Sequence, residues 1–268
     1  MWRLRKALHL DTRSRFRYDE RAPFSLLRDL PDNPYIIVAH PDDESIGLGV
    51  YLQRCATASL LFLTSGESGG SHNQFMSKGM SRYFREDEAK AVNDLLPHVK
   101  LVGFERLPDT YLYKYMGDAA KRILESMTGE LPHSIVTHAF EGGHPDHDCC
   151  SFIGNRLGRK LGIPVWEFPE YTARPPGLIQ SFYDGNHHSP VAVIRPTLAE
   201  AKLKSQMFGL HNSQKGVLAM FDAGAHELLR VQPDRDYYHP RWLKYFSNPG
   251  YLSQDVVEAF RRFDEDFS

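Results

Sequence analysis

The stretch that decides the fold is Tyr35-Ile36-Ile37-Val38-Ala39-His40-Pro41-Asp42-Asp43-Glu44-Ser45-Ile46-Gly47-Leu48-Gly49. An apolar, β-branched run, Ile36 to Ala39, stops at His40, and four ionisable side chains fall within the five residues His40 to Glu44. This pattern reads as a short buried strand that delivers polar groups to its end. In an open α/β sheet the carboxyl ends of strands border the crevice where ligands bind, because loops and helix N-termini line it. Pro41 suits a corner from strand to helix, and Asp42 or Asp43 is placed to cap the helix that follows. Taken alone, the cluster reads as an N-cap with surplus charge.

A second cluster about a hundred residues further on changes that reading. Ser134 to Phe140 is another short strand-like run, and it leads into Glu141, Gly142, Gly143, His144, Pro145, Asp146, His147 and Asp148. Two strands that each end in a Pro-containing His/Asp cluster supply two walls of one site, and a divalent metal is its natural occupant.

Working outward, Ser45 to Ala56 is expected to be helix, with Ile46, Val50 and Leu52 on its apolar face, and Ser59 to Leu63 a second strand. Thr64 to Ser81 is a long loop rich in Gly and Ser, with Glu67, His72 and Asn73 embedded. Because it starts where a strand ends, it is expected to form one wall of the pocket. Arg82 to Leu96 reads as an amphipathic helix on which Arg85 either pairs with Glu86 or Glu88 or reaches the site. Val99 to Phe104 is a third strand, followed by Leu107-Pro108-Asp109 and three tyrosines, Tyr111, Tyr113 and Tyr115. Those rings suit sugar stacking and scaffold packing equally. Asp118 to Met127 and Asp148 to Leu161 are helices, and Pro164 to Phe168 is a strand.

This alternation predicts an α/β fold: a Rossmann-like, mostly parallel sheet flanked by helices, with a looser α+β part from Glu170 onward. In that part Ala173 to Gly177 is a Pro-rich break, Val191 to Arg195 a strand, and Leu198 to Leu210 a helix that leads to His211 in a polar turn. A lone His there suits a structural or a pocket-lining role. No Gly-x-Gly-x-x-Gly follows the first strand, so a dinucleotide role has no support.

Residues 35–268 are read as one domain and residues 1–34 as a basic arm, with eight Lys/Arg against five Asp/Glu. Interleaved with Trp2, Leu4, Leu8 and Leu10, the arm suits an anionic membrane surface, or packing over the domain or a second subunit. A net charge of -2 over 268 residues gives no reason to expect nucleic acid. The three cysteines, Cys55, Cys149 and Cys150, make no disulfide framework. Cys149 and Cys150 are expected to be small buried residues rather than thiolate ligands. With no apolar run long enough to span a membrane and no signal-peptide core, a cytoplasmic, or membrane-peripheral, location is expected.

His40-Pro41-Asp42-Asp43-Glu44 and His144-Pro145-Asp146-His147 resemble the two signature motifs of the PIG-L/LmbE-like family, zinc-dependent deacetylases of N-acetylglucosaminyl conjugates. Weaker matches are Thr64-Ser65-Gly66-Glu67, Arg85 with Glu88, Leu107-Pro108-Asp109, and Lys204 followed by His211, Ser213 and Gln214. The resemblance implies Zn2+ held by His40, Asp43 and His147, with Fe2+ also compatible with such ligands. It implies Asp42 as general base, His144 steadying the intermediate or protonating the leaving amine, and Asp146 orienting His144. Arg85, Asp109, Glu67 and His211 would bind the substrate, an N-acetylated amino sugar on a glycoconjugate or glycolipid precursor. Some relatives carry a tyrosine where this chain has Gly142, so any oxyanion role of that side chain must be filled otherwise or be absent.

Two rival readings stand as alternatives, each with a feature against it. A non-haem iron oxygenase uses a similar 2-His-1-carboxylate set but prefers an all-β jelly roll, against the alternation here. A non-catalytic, metal-stabilised sugar-binding module has no use for Asp42 beside Asp43.

Overall fold

A computed structural model describes residues 30–68, 77–127, 129, 131–142, 144–174, 177–180, 183, 190–239 and 253–267. The strands are β1 (Pro34–Val38), β2 (Ala58–Thr64), β3 (Val99–Leu107), β4 (Ser134–His138), β5 (Val165–Phe168), β6 (Tyr171–Arg174), β7 (Gly177–Gln180), β8 (Ala192–Ile194) and β9 (Glu227–Val231). The helices are α1 (Asp43–Leu48), α2 (Tyr51–Arg54), α3 (Lys78–Asp94), α4 (Met116–Ser126), α5 (Pro145–Leu161), α6 (Leu198–Leu210), α7 (Lys215–Leu218) and α8 (Ser253–Phe267).

Seven strands form one sheet in the order β3-β2-β1-β4-β5-β9-β8. The first five are parallel, and β9 and β8 close the edge antiparallel. β1 is buried on both faces, which is why its sequence is a continuous apolar run rather than an alternation. Tyr35, Ile37 and Ala39 join one core layer with Cys149, Cys150, Phe152, Ile153 and Leu157 of α5 and with residues of α4 and α8. Ile36 and Val38 join the opposite layer with Leu48, Leu52, Ala89, Val92 and Met207. Full burial of each such side chain stabilises the fold by roughly 1.5–3 kcal/mol. Cys149 and Cys150 are free and buried in the core, as small apolar residues would be.

The helix expected over Ser45 to Ala56 is two short helices. The break at Gly49 and Val50 has a partner from outside: Glu227 of β9 accepts the Val50 and Tyr51 amides at 2.7 and 2.8 Å. Glu227 is in turn paired at 2.6 Å with Lys204 of α6, itself fully buried, which also donates to the Ile46 carbonyl at 2.8 Å. Lys204 is therefore a brace between α6, β9 and α1. The Pro-rich break expected at Ala173 to Gly177 overlaps paired strands instead: Ala173 and Arg174 lie in β6 and Gly177 in β7. Neither β9 nor α8 is apparent from the sequence pattern. β1 begins at Pro34, inside the predicted arm; residues 1–29 and the aromatics Trp242, Tyr245, Phe246 and Tyr251 lie outside the described residues. Among the described residues no helix is long and apolar enough to cross a membrane.

Candidate active site

The strand order reverses direction at β1, with β2 on one side and β4 on the other. In parallel sheets this switch point opens a crevice at the carboxyl ends of the strands. Ile37 pairs with Thr137, so β1 and β4 end level with one another, and the two clusters meet. α1 carries Asp43 in its first turn, and α5 begins with Pro145 behind the N-cap His144, which sets His147 on its first turn. Gly142 has φ +69 and donates its amide to Asp148 at 3.0 Å, a backbone that suits glycine.

Three side chains form a compact triangle. His40 Nδ1 lies 3.3 Å from Asp43 Oδ2 and 3.3 Å from His147 Nε2, and Asp43 Oδ1 lies 3.5 Å from His147 Nε2. Ligands on a tetrahedral Zn2+, with bonds of about 2.0–2.1 Å, stand about 3.3 Å apart. The triangle thus has the spacing and the donor chemistry of a divalent metal site. Three overlapping groups also gather donor atoms within 4.8 Å: His40, His144 and His147; His40, Asp109, His144 and Asp146; and Asp43, His138, His147 and Glu170.

The far nitrogen of His40 is held by two carboxylates, Asp146 Oδ2 at 3.2 Å and Asp109 Oδ1 at 3.3 Å. Asp146 also accepts the Thr110 amide at 2.7 Å and the Leu112 amide at 3.1 Å, and Asp109 accepts the Ser68 amide at 2.6 Å. Such outer carboxylates fix the ring and raise the basicity of a ligand imidazole. Burial opposes a charge on His40, but Asp43, Asp109 and Asp146 outweigh it and raise its pKa well above the usual value. Burial likewise opposes the charge on Asp43, yet the imidazoles of His147, His40 and His138 hold it well below the usual carboxylate range.

Beside the triangle stands Asp42, whose backbone has φ +136, a region L-residues rarely occupy. Strain of this kind persists only where the surroundings over-determine it. Here the Asp42 amide donates to Glu44 Oε2 at 3.0 Å, and Arg85 donates to Asp42 Oδ1 at 2.7 Å and to the Pro41 carbonyl at 2.6 Å. Arg85 is anchored further by the Gly66 carbonyl at 2.5 Å, and a side chain on Gly66, with φ +58, would strike the guanidinium. Burial pushes the Asp42 carboxyl up to about 6 although Arg85 pulls the other way. In the same cavity, burial first and then the neighbouring His40 charge lower His144 to about 3. His144 Nδ1 accepts the Asp146 amide at 3.2 Å, so the proton of the neutral ring sits on Nε2.

A cavity of about 310 Å³ opens onto these groups. One wall is polar, with His40, Asp42, Asp43, Arg85, Asp109, His144, His147 and Glu170; the other is built by Ile46, Tyr171, Val217, Met220 and Phe221. A larger cavity of about 800 Å³ lies against α4 and α8, and among the described residues its lining includes neither imidazole nor thiol.

Several sequence expectations change place. Asp146 hydrogen-bonds His40 through its side chain, and its backbone amide donates to His144 Nδ1. Arg85 pairs with neither Glu86 nor Glu88 but with Asp42; Glu86 binds Arg106 and Ser65, and Glu88 binds Ser213. Asp109 lines the cavity with both oxygens already engaged, by His40 and Ser68. His211 is fully buried behind Glu44, 3.0 Å from its Oε1 and 3.1 Å from Ser45 Oγ, and does not line the cavity. Glu67 is buried with Arg82 at 3.7 Å and does not line it either. Of the glycine-rich loop, residues 69–76 lie outside the described residues. Gln214, matched only weakly in sequence, does line the cavity.

The sequence reading passed over His138 and Glu170. Both stand where a buried parallel strand ends, β4 for His138 and β5 for Glu170, the same signal that singled out His40. The apolar wall carried no such signal, since an apolar residue at a pocket and one in a core look alike in sequence.

Residues 35–157 match the family described as PIG-L, GlcNAc-PI de-N-acetylase. A curated relative, 1D-myo-inositol 2-acetamido-2-deoxy-alpha-D-glucopyranoside deacetylase 2 of Saccharopolyspora erythraea, is 30% identical over 139 residues, 42% of this chain and 51% of that protein. The chain thus spans about half the length of the curated relative it matches. Among solved structures, a deacetylase triple mutant from the teicoplanin biosynthetic pathway superimposes with a TM-score of 0.57 at 18% identity, over 76% of this chain and 100% of that one. The 4-carboxy-2-hydroxymuconate hydratase of Pseudomonas putida superimposes with a TM-score of 0.50 at 16% identity, over 76% of this chain and 98% of that one. These likenesses establish a shared fold, and a hydratase among them shows that the fold alone does not select the reaction. The stretch that matches the PIG-L family description, residues 35–157, holds both His/Asp clusters.

Proposed function

We propose that this chain is a metal-dependent hydrolase that removes the N-acetyl group from an N-acetylglucosamine-type amino sugar carried on a glycoconjugate or glycolipid precursor. The observation that carries the reading is the triangle of His40 Nδ1, Asp43 and His147 Nε2 with edges of 3.3–3.5 Å, next to Asp42 and His144 in one cavity. The name of the matched family and that of the curated relative, a deacetylase of an acetamido-deoxy-glucopyranoside, support the substrate class.

His40, Asp43 and His147 would hold the ion, with Zn2+ the first choice and Fe2+ compatible with the same donors. Such an ion, when bound, polarises an amide carbonyl and makes water acidic near neutral pH. The remaining chemistry belongs to the side chains. Asp42, with one oxygen fixed by Arg85, takes the proton from the attacking water and returns it to the leaving nitrogen, so that acetate and a free amine result. His144 offers its Nε2 proton as a hydrogen bond to the oxygen that becomes negative. Asp109 and Asp146 keep His40 oriented, and Glu44 with His211 keeps Asp42 in its strained backbone.

The test is metal analysis of the purified protein combined with acetate release from a panel of N-acetylglucosamine conjugates. About one divalent ion per chain and chelator-sensitive acetate release are expected. A metal-free protein with full activity, or a metal-loaded protein inert on every conjugate, refutes the assignment.

A further inference from the structure

One wall of the catalytic cavity takes no part in the chemistry proposed above. Tyr171, Val217, Met220 and Phe221 line it, each half-buried, and none of them belongs to either core layer of the sheet. Leu218, on the same short helix as Val217, is by contrast buried at 3% exposure. Apolar side chains gathered in a cavity and left out of the core mark a surface that a ligand covers. All four also lie outside residues 35–157, the stretch that matches the family, whereas every ionisable group of the opposite wall except Glu170 lies within it. The apolar wall and the reactive groups thus come from different parts of the chain.

The wall is held in shape by its backbone. Tyr171 of β6 pairs with Gln180 of β7, and Gln180 Oε1 accepts the Asp222 amide at 3.2 Å, which ties the hairpin to the turn after α7. The Met220 and Phe221 amides close that turn on the Val217 and Leu218 carbonyls at 2.9 and 3.0 Å. A wall fixed in advance loses little conformational freedom when a ligand binds.

Its rings are spaced for a glycoside. The Tyr171 ring stands edge to face with His147, centroids 5.5 Å apart, and the Phe221 ring lies 5.9 Å from Tyr171. Phe221 is therefore the second ring step from the ligand imidazole. In a glycoside of a 2-acetamido sugar four bonds of about 1.3–1.5 Å separate the reacting carbonyl carbon from the glycosidic oxygen, so the aglycone begins roughly 4–5 Å from the reaction centre. That reach passes the first ring and arrives at the second.

We infer that this wall is the aglycone subsite, and that it selects amino-sugar conjugates with an apolar aryl or alkyl group on the anomeric oxygen. Tyr171 meets the C–H face of the sugar, and Val217, Met220 and Phe221 cover the aglycone. The inference rests on the deacetylase reading and narrows its substrate class.

The probes are phenyl and methyl N-acetylglucosaminides, in both anomers. Titration calorimetry on the chelator-treated protein reads binding apart from reaction, and acetate release by the Zn2+-loaded protein reads kcat/KM. The phenyl glycoside should bind at least about tenfold more tightly than the methyl glycoside, because its added ring leaves water, and its kcat/KM should be higher by a similar factor. Phe221→Ser should shrink that preference at least about fivefold, and Met220→Ser should shift it the same way. Equal affinity for the two glycosides overturns the inference even if no variant folds, as does a preference that survives both substitutions. Methyl N-hexanoylglucosaminide bound as tightly as phenyl N-acetylglucosaminide assigns the wall to the acyl chain and overturns it as well. Failure of the underlying reading looks different: a phenyl preference in binding that depends on Phe221, with no acetate released from any glycoside, keeps the subsite and removes the deacetylase. Acetate released from both glycosides with equal affinity and equal kcat/KM removes the subsite alone.

Discussion

Replacing Asp42 by asparagine tests whether this carboxylate is held in a costly state for the sake of catalysis. Burial raises its pKa from 3.8 to about 6 in the metal-free protein. A difference of that size corresponds to about 3 kcal/mol against the charged form at pH 7. The unfolded chain gives up this proton near pH 3.8, whereas the folded chain keeps it until about 6. Folding therefore takes up a proton between these values, and wild-type stability falls as the pH rises through the window. An asparagine at this position would be neutral throughout and nearly the same shape. In urea unfolding of the chelator-treated proteins, Asp42→Asn should be more stable than wild type by up to about 3 kcal/mol at pH 7 and by less than about 1 kcal/mol at pH 4. The same variant should keep its metal and lose kcat by about 10²–10⁴, the worth of a positioned general base. A variant no more stable than wild type at pH 7, a stability gap that does not change with pH, or a surviving kcat refutes the reasoning.

Arg85→Ala should lower kcat at least about tenfold as well as changing KM, because the lost guanidinium fixes the base and not only the substrate. Steady-state kinetics on an accepted conjugate decide this, and a variant with altered KM and unchanged kcat returns Arg85 to substrate binding alone. Lys204→Met strands the buried Glu227 carboxylate and should destabilise the fold by about 3–5 kcal/mol in urea titration. Adding Glu227→Gln should recover part of that loss, and a single-variant cost below about 1 kcal/mol shows that the brace is dispensable.

Much of this protein was legible in its sequence because the central strands are buried on both faces. Continuous apolar runs such as Ile36 to Ala39 cannot sit at a surface, and the His/Asp clusters that follow β1 and β4 mark where the chain reaches the crevice. The parallel sheet and the two clusters follow from that local grammar, whereas the ligand candidates His40, Asp43 and His147 follow from the motif resemblance. The direction of each side chain within the site does not, since it depends on neighbours far apart in the chain. Asp146 was expected beside His144, two residues away, but its carboxylate meets His40 across the β1–β4 boundary. Arg85 has charged neighbours on its own helix and pairs instead with Asp42, because its side chain reaches the Pro41–Asp42 corner beyond β1. His211 looked like a pocket residue in a polar turn, and packing of α6 against α1 buries it behind Glu44. Sequence determined which chemical groups are present and roughly where the chain delivers them; only tertiary packing decided their partners, because a hydrogen bond is set by distances of tenths of an ångström between elements that the chain separates by a hundred residues or more.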